Sequence, residues 1–196
     1  MIRRLSLLIV MVHLLVIAGA CARSPRADFY TLSAEPMARL AAPVTPAAIV
    51  IDTVTVPDMV DRPQFVLRVS QSQVRVDEFA RWAEPLKSQI AGVLAANLGE
   101  LFPDSLVFIF PQLAGKPAVR LSVNVQVFDS TAGESAVLVA LWSVRYPDVK
   151  GATDGKYVVH EQINGPGYDA LVDAHSRALA ALSREISNAI VSGIKK

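Results

Sequence analysis

The side chains able to do covalent or acid–base chemistry are few in this chain of 196 residues, which holds one cysteine and three histidines. His13 lies in an apolar N-terminal run, which leaves His160 and His175 beyond it. Two isolated histidines with no cysteine partner lack the spacing of a metal-ligand set. His175 follows Leu171 by one helical repeat, so it belongs to a packed stripe and reads as a satisfied structural histidine. No G-x-S-x-G turn is present to lift a serine out as a nucleophile. A phosphate loop of the form G-x-x-x-x-G-K-[ST] is missing too, since Gly115-Lys116 runs into Pro117. Asp77 and Glu78 are neighbours along a strand and point to opposite faces, so they make no carboxylate pair. The sequence therefore predicts a chain that is not itself an enzyme, with no catalytic residues, no cofactor and no metal.

Cys21 is where chemistry is expected. Met1-Ile2-Arg3-Arg4 supplies a positive start, Leu5 to Ile17 are mostly apolar, and Ala18-Gly19-Ala20 puts small residues directly before the thiol. These are the parts of a secretory signal. With cysteine first after the cut, the arrangement resembles a bacterial lipobox, whose thiol receives a diacylglycerol and whose new N-terminus receives an acyl chain. Ala18 stands where leucine is usual. The apolar run is shorter than the roughly 20 residues that cross a bilayer, and a lone thiol is unusual in an exported protein. An ordinary signal ahead of a buried cysteine is the alternative. Lipidation at Cys21 divides the chain into a signal peptide (1–20), an acylated tether (21–28) and a single domain (29–196). Several acyl chains on one residue exceed the two-signal threshold for stable membrane anchoring.

Loss of the signal removes Arg3 and Arg4, two of 19 basic residues against 18 acidic, so the formal charge moves from +1 to −1. A near-neutral surface gives no electrostatic case for binding nucleic acid. The remaining length suits one compact domain.

Hydrophobic spacing predicts the elements that hold these residues. Phe29 to Leu32 reads as a short strand, Ile49 to Val56 as a strong one, and Gln64 to Val69 with Gln73 to Glu78 as a pair joined at Ser70-Gln71-Ser72. Leu86, Ile90, Val93, Leu94 and Leu98 share one face of a helix spanning Ala83 to Leu101. Ser105 to Phe110 is a compact apolar strand. Val119 to Val127 alternates apolar with polar residues, so one face is buried and the other wet. Ala136 to Tyr146 is apolar throughout and is expected in mid-sheet, buried on both faces. Lys156 to Asn164 ends the strands before Gly165-Pro166-Gly167. A second helix from Tyr168 onward carries the stripe Leu171, Ala178, Leu182, Ile186 and Ile190, with Asp173 and Arg177 spaced for an ion pair. This order, with turns too short for parallel crossovers except around the first helix, predicts an α+β fold, a mostly antiparallel β-sheet with two main helices packed on one face.

Two polar clusters stand out. Pro57 to Gln64 sets Asp61 and Arg62 between prolines, and Arg81 to Leu86 places Trp82 ahead of the first helix. Both admit a structural reading, with Asp61 and Arg62 fixing the start of a strand and Trp82 filling a core corner. The sharper reading makes Asp61, Arg62 and Trp82 partner-binding candidates, since Trp and Arg dominate interface energetics.

Phe29-Tyr30-Thr31-Leu32 after the cysteine, then Pro57 to Gln64, then Arg81 to Leu86 and its helix, together resemble the PqiC-type auxiliary lipoproteins of ABC-type and MCE-type (mammalian cell entry domain) transport systems. Met59-Val60 departs from the aromatic and leucine more usual there. The resemblance implies a non-catalytic auxiliary subunit of a machine that moves lipids or other hydrophobic molecules across the envelope. The MCE-domain tunnel protein, permease and ATPase would be separate chains. It also suggests docking at the outer-membrane end of the tunnel, with a homo-oligomeric ring among the arrangements. Ala22, in place of the aspartate that retains lipoproteins at the inner membrane, points to the periplasmic face of the outer membrane. A freestanding envelope lipoprotein holding a small apolar ligand, and a membrane-displayed hydrolase, are the rival expectations.

Overall fold

The computed structural model describes residues 25–41, 45–112, 117–147 and 150–194. Cys21 and the segment 1–20 lie outside the described residues. In chain order the elements are β1 (Asp28–Tyr30), β2 (Ala48–Thr55), β3 (Gln64–Arg68), β4 (Val74–Trp82), α1 (Leu86–Leu101), β5 (Leu106–Ile109), β6 (Val119–Thr131), β7 (Ser135–Arg145), β8 (Ala152–Gln162) and α2 (Gly167–Ile194). The class is α+β, as the spacing predicts.

The strands divide into two sheets. A large one has the order β5-β2-β6-β7-β8 and a small one the order β1-β4-β3. The division falls at Pro57 to Pro63, where proline cannot continue a ladder and the chain leaves β2. In the large sheet β6, β7 and β8 are antiparallel neighbours, while β2 lies parallel to both β5 and β6. The short links expected to exclude parallel strands do not do so here, because β5 and β6 do not pair with each other and β2 sits between them.

Both helices cover one face of the large sheet. Along α1, Leu86, Ile90, Val93, Leu94 and Leu98 are all buried, and the stripe from Leu171 to Ile190 is buried along α2. The helix α1 begins at Leu86, with Pro85 as its cap and the Pro85 carbonyl accepting from the N–H groups of Ser88 (2.9 Å) and Gln89 (3.1 Å). Arg177 turns away from Asp173, contrary to the expected pair. Its Nε donates to Glu161 of β8 at 3.2 Å, tying α2 to the sheet edge.

Because the helices occupy one side only, β7 is not buried on both faces. Ala136, Leu138, Ala140 and Val144 have no exposure, while Leu141, on the other face, is 40% exposed. A run apolar on both sides looks like a central strand, but β7 is central only laterally.

Polar side chains in the helix layer hold the segment after β1. Leu32 N–H donates to Gln89 Oε1 (2.8 Å), Ser33 N–H to Ser176 Oγ (3.1 Å) and Glu35 N–H to Asn97 Oδ1 (3.2 Å). Buried Gln89, Asn97 and Ser176 thus satisfy backbone donors that have no strand partner, as a buried backbone requires.

Candidate functional site

Asp61, Arg62 and Trp82 come together around one surface groove of about 550 Å³, with Phe29, Pro63, Ala83, Glu84, Pro85 and Lys87. The chain reaches it in two passes. The turn after β2 is closed by Val60 and Asp61 N–H groups donating to the Pro57 carbonyl at 3.0 and 3.1 Å. The end of β4 is fixed when Trp82 N–H donates to Pro63 O (2.7 Å) and Ala83 N–H donates to Tyr30 O (2.9 Å). Between two prolines, with its ends hydrogen-bonded, this rim loses little conformational freedom when something binds.

The three candidates play different parts. Asp61 accepts from Lys87 Nζ at 3.2 Å, a pair in which both side chains stay partly exposed. Arg62 is exposed and has no ion pair among the described residues. Trp82 is only 5% exposed. Its ring stacks on Phe65 at 4.1 Å and meets the Phe128 ring edge-on at 6.2 Å. Phe128 in turn stacks on His175 at 3.8 Å. This row joins the small sheet, the large sheet and α2, so Trp82 is the floor of the groove and a core side chain. Lys87 and Phe29 complete the rim. The sequence reading missed both, because neither belongs to the motif that carries Asp61 and Arg62.

His175 is fully buried, as its place on the stripe predicts. One ring nitrogen meets Ser130 Oγ at 2.8 Å, and the other has no hydrogen-bond partner among the described residues. Burial pushes its pKa down to about 3, so the ring is neutral near neutral pH.

Asp77 shapes the outer part of β4. Its Oδ1 accepts from the N–H groups of Phe79 (2.9 Å) and Ala80 (3.1 Å), and its Oδ2 accepts from the Tyr168 hydroxyl at 2.5 Å. The tyrosine bond first, then the Phe79 N–H, hold its carboxyl below the usual range. Burial, reinforced by that same carboxylate, drives the Tyr168 hydroxyl well above the ordinary tyrosine value.

A second, shallower groove of about 710 Å³ lies along the uncovered face of the large sheet, floored by Ser122 and Ser143 and bordered by Thr53, Asn124, Leu141 and Asp154. Among the described residues no cluster of His, Cys, Asp and Glu is arranged to hold a metal ion, and no helix is long and apolar enough to cross a membrane.

No curated protein matches this chain. Among solved structures, an uncharacterized protein is similar at 22% identity and a TM-score of 0.71, over 85% of this chain and 99% of the other. Protein XCC0632 from Xanthomonas campestris, of the DUF330 family, is similar at 14% identity and a TM-score of 0.72, over 86% of this chain and 98% of its own. Both likenesses are to the fold. A family model matches residues 30–187, from β1 into the last turns of α2, and by that match the chain belongs to the family of ABC-type transport auxiliary lipoprotein components.

Proposed function

We propose that this chain is the lipid-anchored, non-catalytic auxiliary subunit of an ABC/MCE-type envelope transport system that moves lipids or other hydrophobic molecules. Cys21 carries the acyl chains and holds the domain on the periplasmic face of the outer membrane. An MCE-domain tunnel protein, a permease and an ATPase are its partners, and several copies assemble as a ring at the end of the tunnel. The observation that carries this reading is the placement of a lipobox-like cysteine immediately upstream of the family match over residues 30–187. The groove at Asp61 and Arg62 is the docking candidate, with an exposed guanidinium on a rigid rim and an apolar floor, the combination that interface anchors use. A small ligand held between sheet and helices is less well supported. Ile90, Leu94, Leu138, Leu179 and Ile186, all without exposure, fill that layer.

Labelling cells with a palmitate analogue, then separating membranes and capturing the tagged full-length chain, tests the reading. The wild type is expected to take up label, fractionate with the outer membrane and bring down an MCE-domain protein, while Cys21→Ser is unlabelled and soluble. An unlabelled wild type ends the anchor reading. A labelled wild type that captures no transport component ends the partner reading alone.

A further inference from the structure

We propose that the outer face of the small sheet, marked by Phe29 and Phe79, lies against the lipid headgroups of the leaflet that holds the Cys21 anchor. The proposal rests on the lipidation of Cys21 argued above. In β1 and β4 the parallel register sets Asp28 against Ala80, Phe29 against Arg81 and Tyr30 against Trp82. Tyr30, Ala80 and Trp82 face inward, with Trp82 on Phe65. Side chains alternate along a strand, so Phe29 and Arg81 share the opposite, outward face. Phe79 lies in the irregular stretch between Asp77 and Arg81, where the pairing with β3 shifts register, and its ring is exposed. Phe29 is 62% exposed, the most of any large apolar side chain among the described residues, and Phe79 is 46% exposed. The Asp77 turn holds Phe79 in this exposed position through its N–H. Beside the rings, Arg81 folds back on Glu78, with Nε donating to the Glu78 carbonyl at 2.8 Å and Nη2 reaching its carboxylate at 3.5 Å. Arg81 and Glu78 therefore offset each other beside the rings.

Tether length selects lipid as the occupant. Cys21 precedes Asp28, the first residue of β1, by seven residues, at most roughly 25 Å of fully extended chain. A domain of this size has a radius of gyration of about 15 Å, so such a tether brings the side around β1 to the bilayer and cannot let the far side reach it. Arg23 and Arg26 in the tether are attracted by anionic headgroups in the same direction. Phe29 also borders the Asp61–Arg62 groove, so a partner docked there meets the chain at the membrane surface.

The test uses the full-length lipidated chain, reconstituted into vesicles of phosphatidylethanolamine and phosphatidylglycerol. Acylation blocks Cys21, so a single new thiol takes an environment-sensitive dye, at Phe79→Cys, at Phe29→Cys or, as the distant control, at Ala152→Cys. Ala152 pairs with Arg145, which pairs with Arg120, whereas the small sheet is tied to the other end of β6 by Arg68 and Asp129. That separates the control by roughly 30 Å. Expected is a blue-shifted dye at 79 and 29, quenched by nitroxide lipids and shielded several-fold from aqueous iodide, with a fully accessible dye at 152. A chain that floats with the vesicles while its dyes at 79 and 29 stay as accessible as at 152 overturns the proposal and leaves the anchor standing. Shielding that appears only when a transport partner is added assigns the face to protein and also overturns it. A chain that carries no acyl group and does not float removes the anchor and the proposal together.

Discussion

His175, stacked on Phe128 and bonded to Ser130, is neutral in the folded chain because its burial leaves no water to solvate a charge. Its folded pKa lies below the ordinary value near 6.5, so the unfolded chain binds the extra proton first. The sign follows: stability is unaffected above about pH 6.5 and falls as pH drops from there toward 3. From pH 7 to pH 5 the loss attributable to this one side chain is roughly 2 kcal/mol. Asp77, held low by Tyr168, loses its contribution as pH falls from the ordinary carboxylate value downward, so its loss begins only at the acid end of the His175 window and leaves the interval from pH 7 to pH 5 to His175. Urea melts at pH 7 and pH 5 are expected to show the wild type losing this stability, and His175→Gln showing a flatter pH dependence from a lower starting point. An equal slope in both proteins would mean that His175 is not the titrating group.

Among the elements, β7 separates the two faces of the large sheet. Leu138 points into the helix layer with no exposure and Leu141 points to the uncovered side. Leu138→Ala is expected to cost about 2–5 kcal/mol through lost transfer energy and the cavity left behind. Leu141→Ala is expected to cost under about 1 kcal/mol, as at other surface positions. Equal midpoints in urea would contradict the one-sided packing. The neighbouring strand shows the same asymmetry. A Cβ at Gly155 of β8 would lie 2.2 Å from the indole of Trp142, so the glycine is what allows that ring to lie across the sheet edge.

At the scale of the whole molecule, the groove separates surface from scaffold. Arg62→Ala, on the exposed rim, is expected to weaken binding to the tunnel protein by roughly 1–4 kcal/mol while leaving the melt unchanged. Trp82→Ala removes the ring that joins both sheets and is expected to cost about 3–5 kcal/mol of stability. Binding and melting measured together on the domain from residue 22 onward distinguish the two. An Arg62→Ala protein that melts lower but binds normally once folded would return Arg62 to the scaffold.

The helical stripes, the alternation along Val119 to Val127 and the burial of His175 were legible from residue spacing, because each is set by a local period and one apolar face. The proposed lipidation at Cys21 also rests on local order, from charge to apolar run to small residues, and lies outside the described residues. What spacing leaves open is which elements share a layer. Nothing in the apolar run of β7 says that one side stays uncovered, and nothing near Arg177 says that Glu161 outcompetes Asp173. The stack from Phe65 through Trp82 and Phe128 to His175 draws on four segments far apart in sequence. The meeting of Phe29, Arg62 and Lys87 at one groove likewise draws on three. Those contacts exist only after two sheets and two helices have packed, because burial rewards whichever distant surfaces fit, and local sequence records only the faces offered.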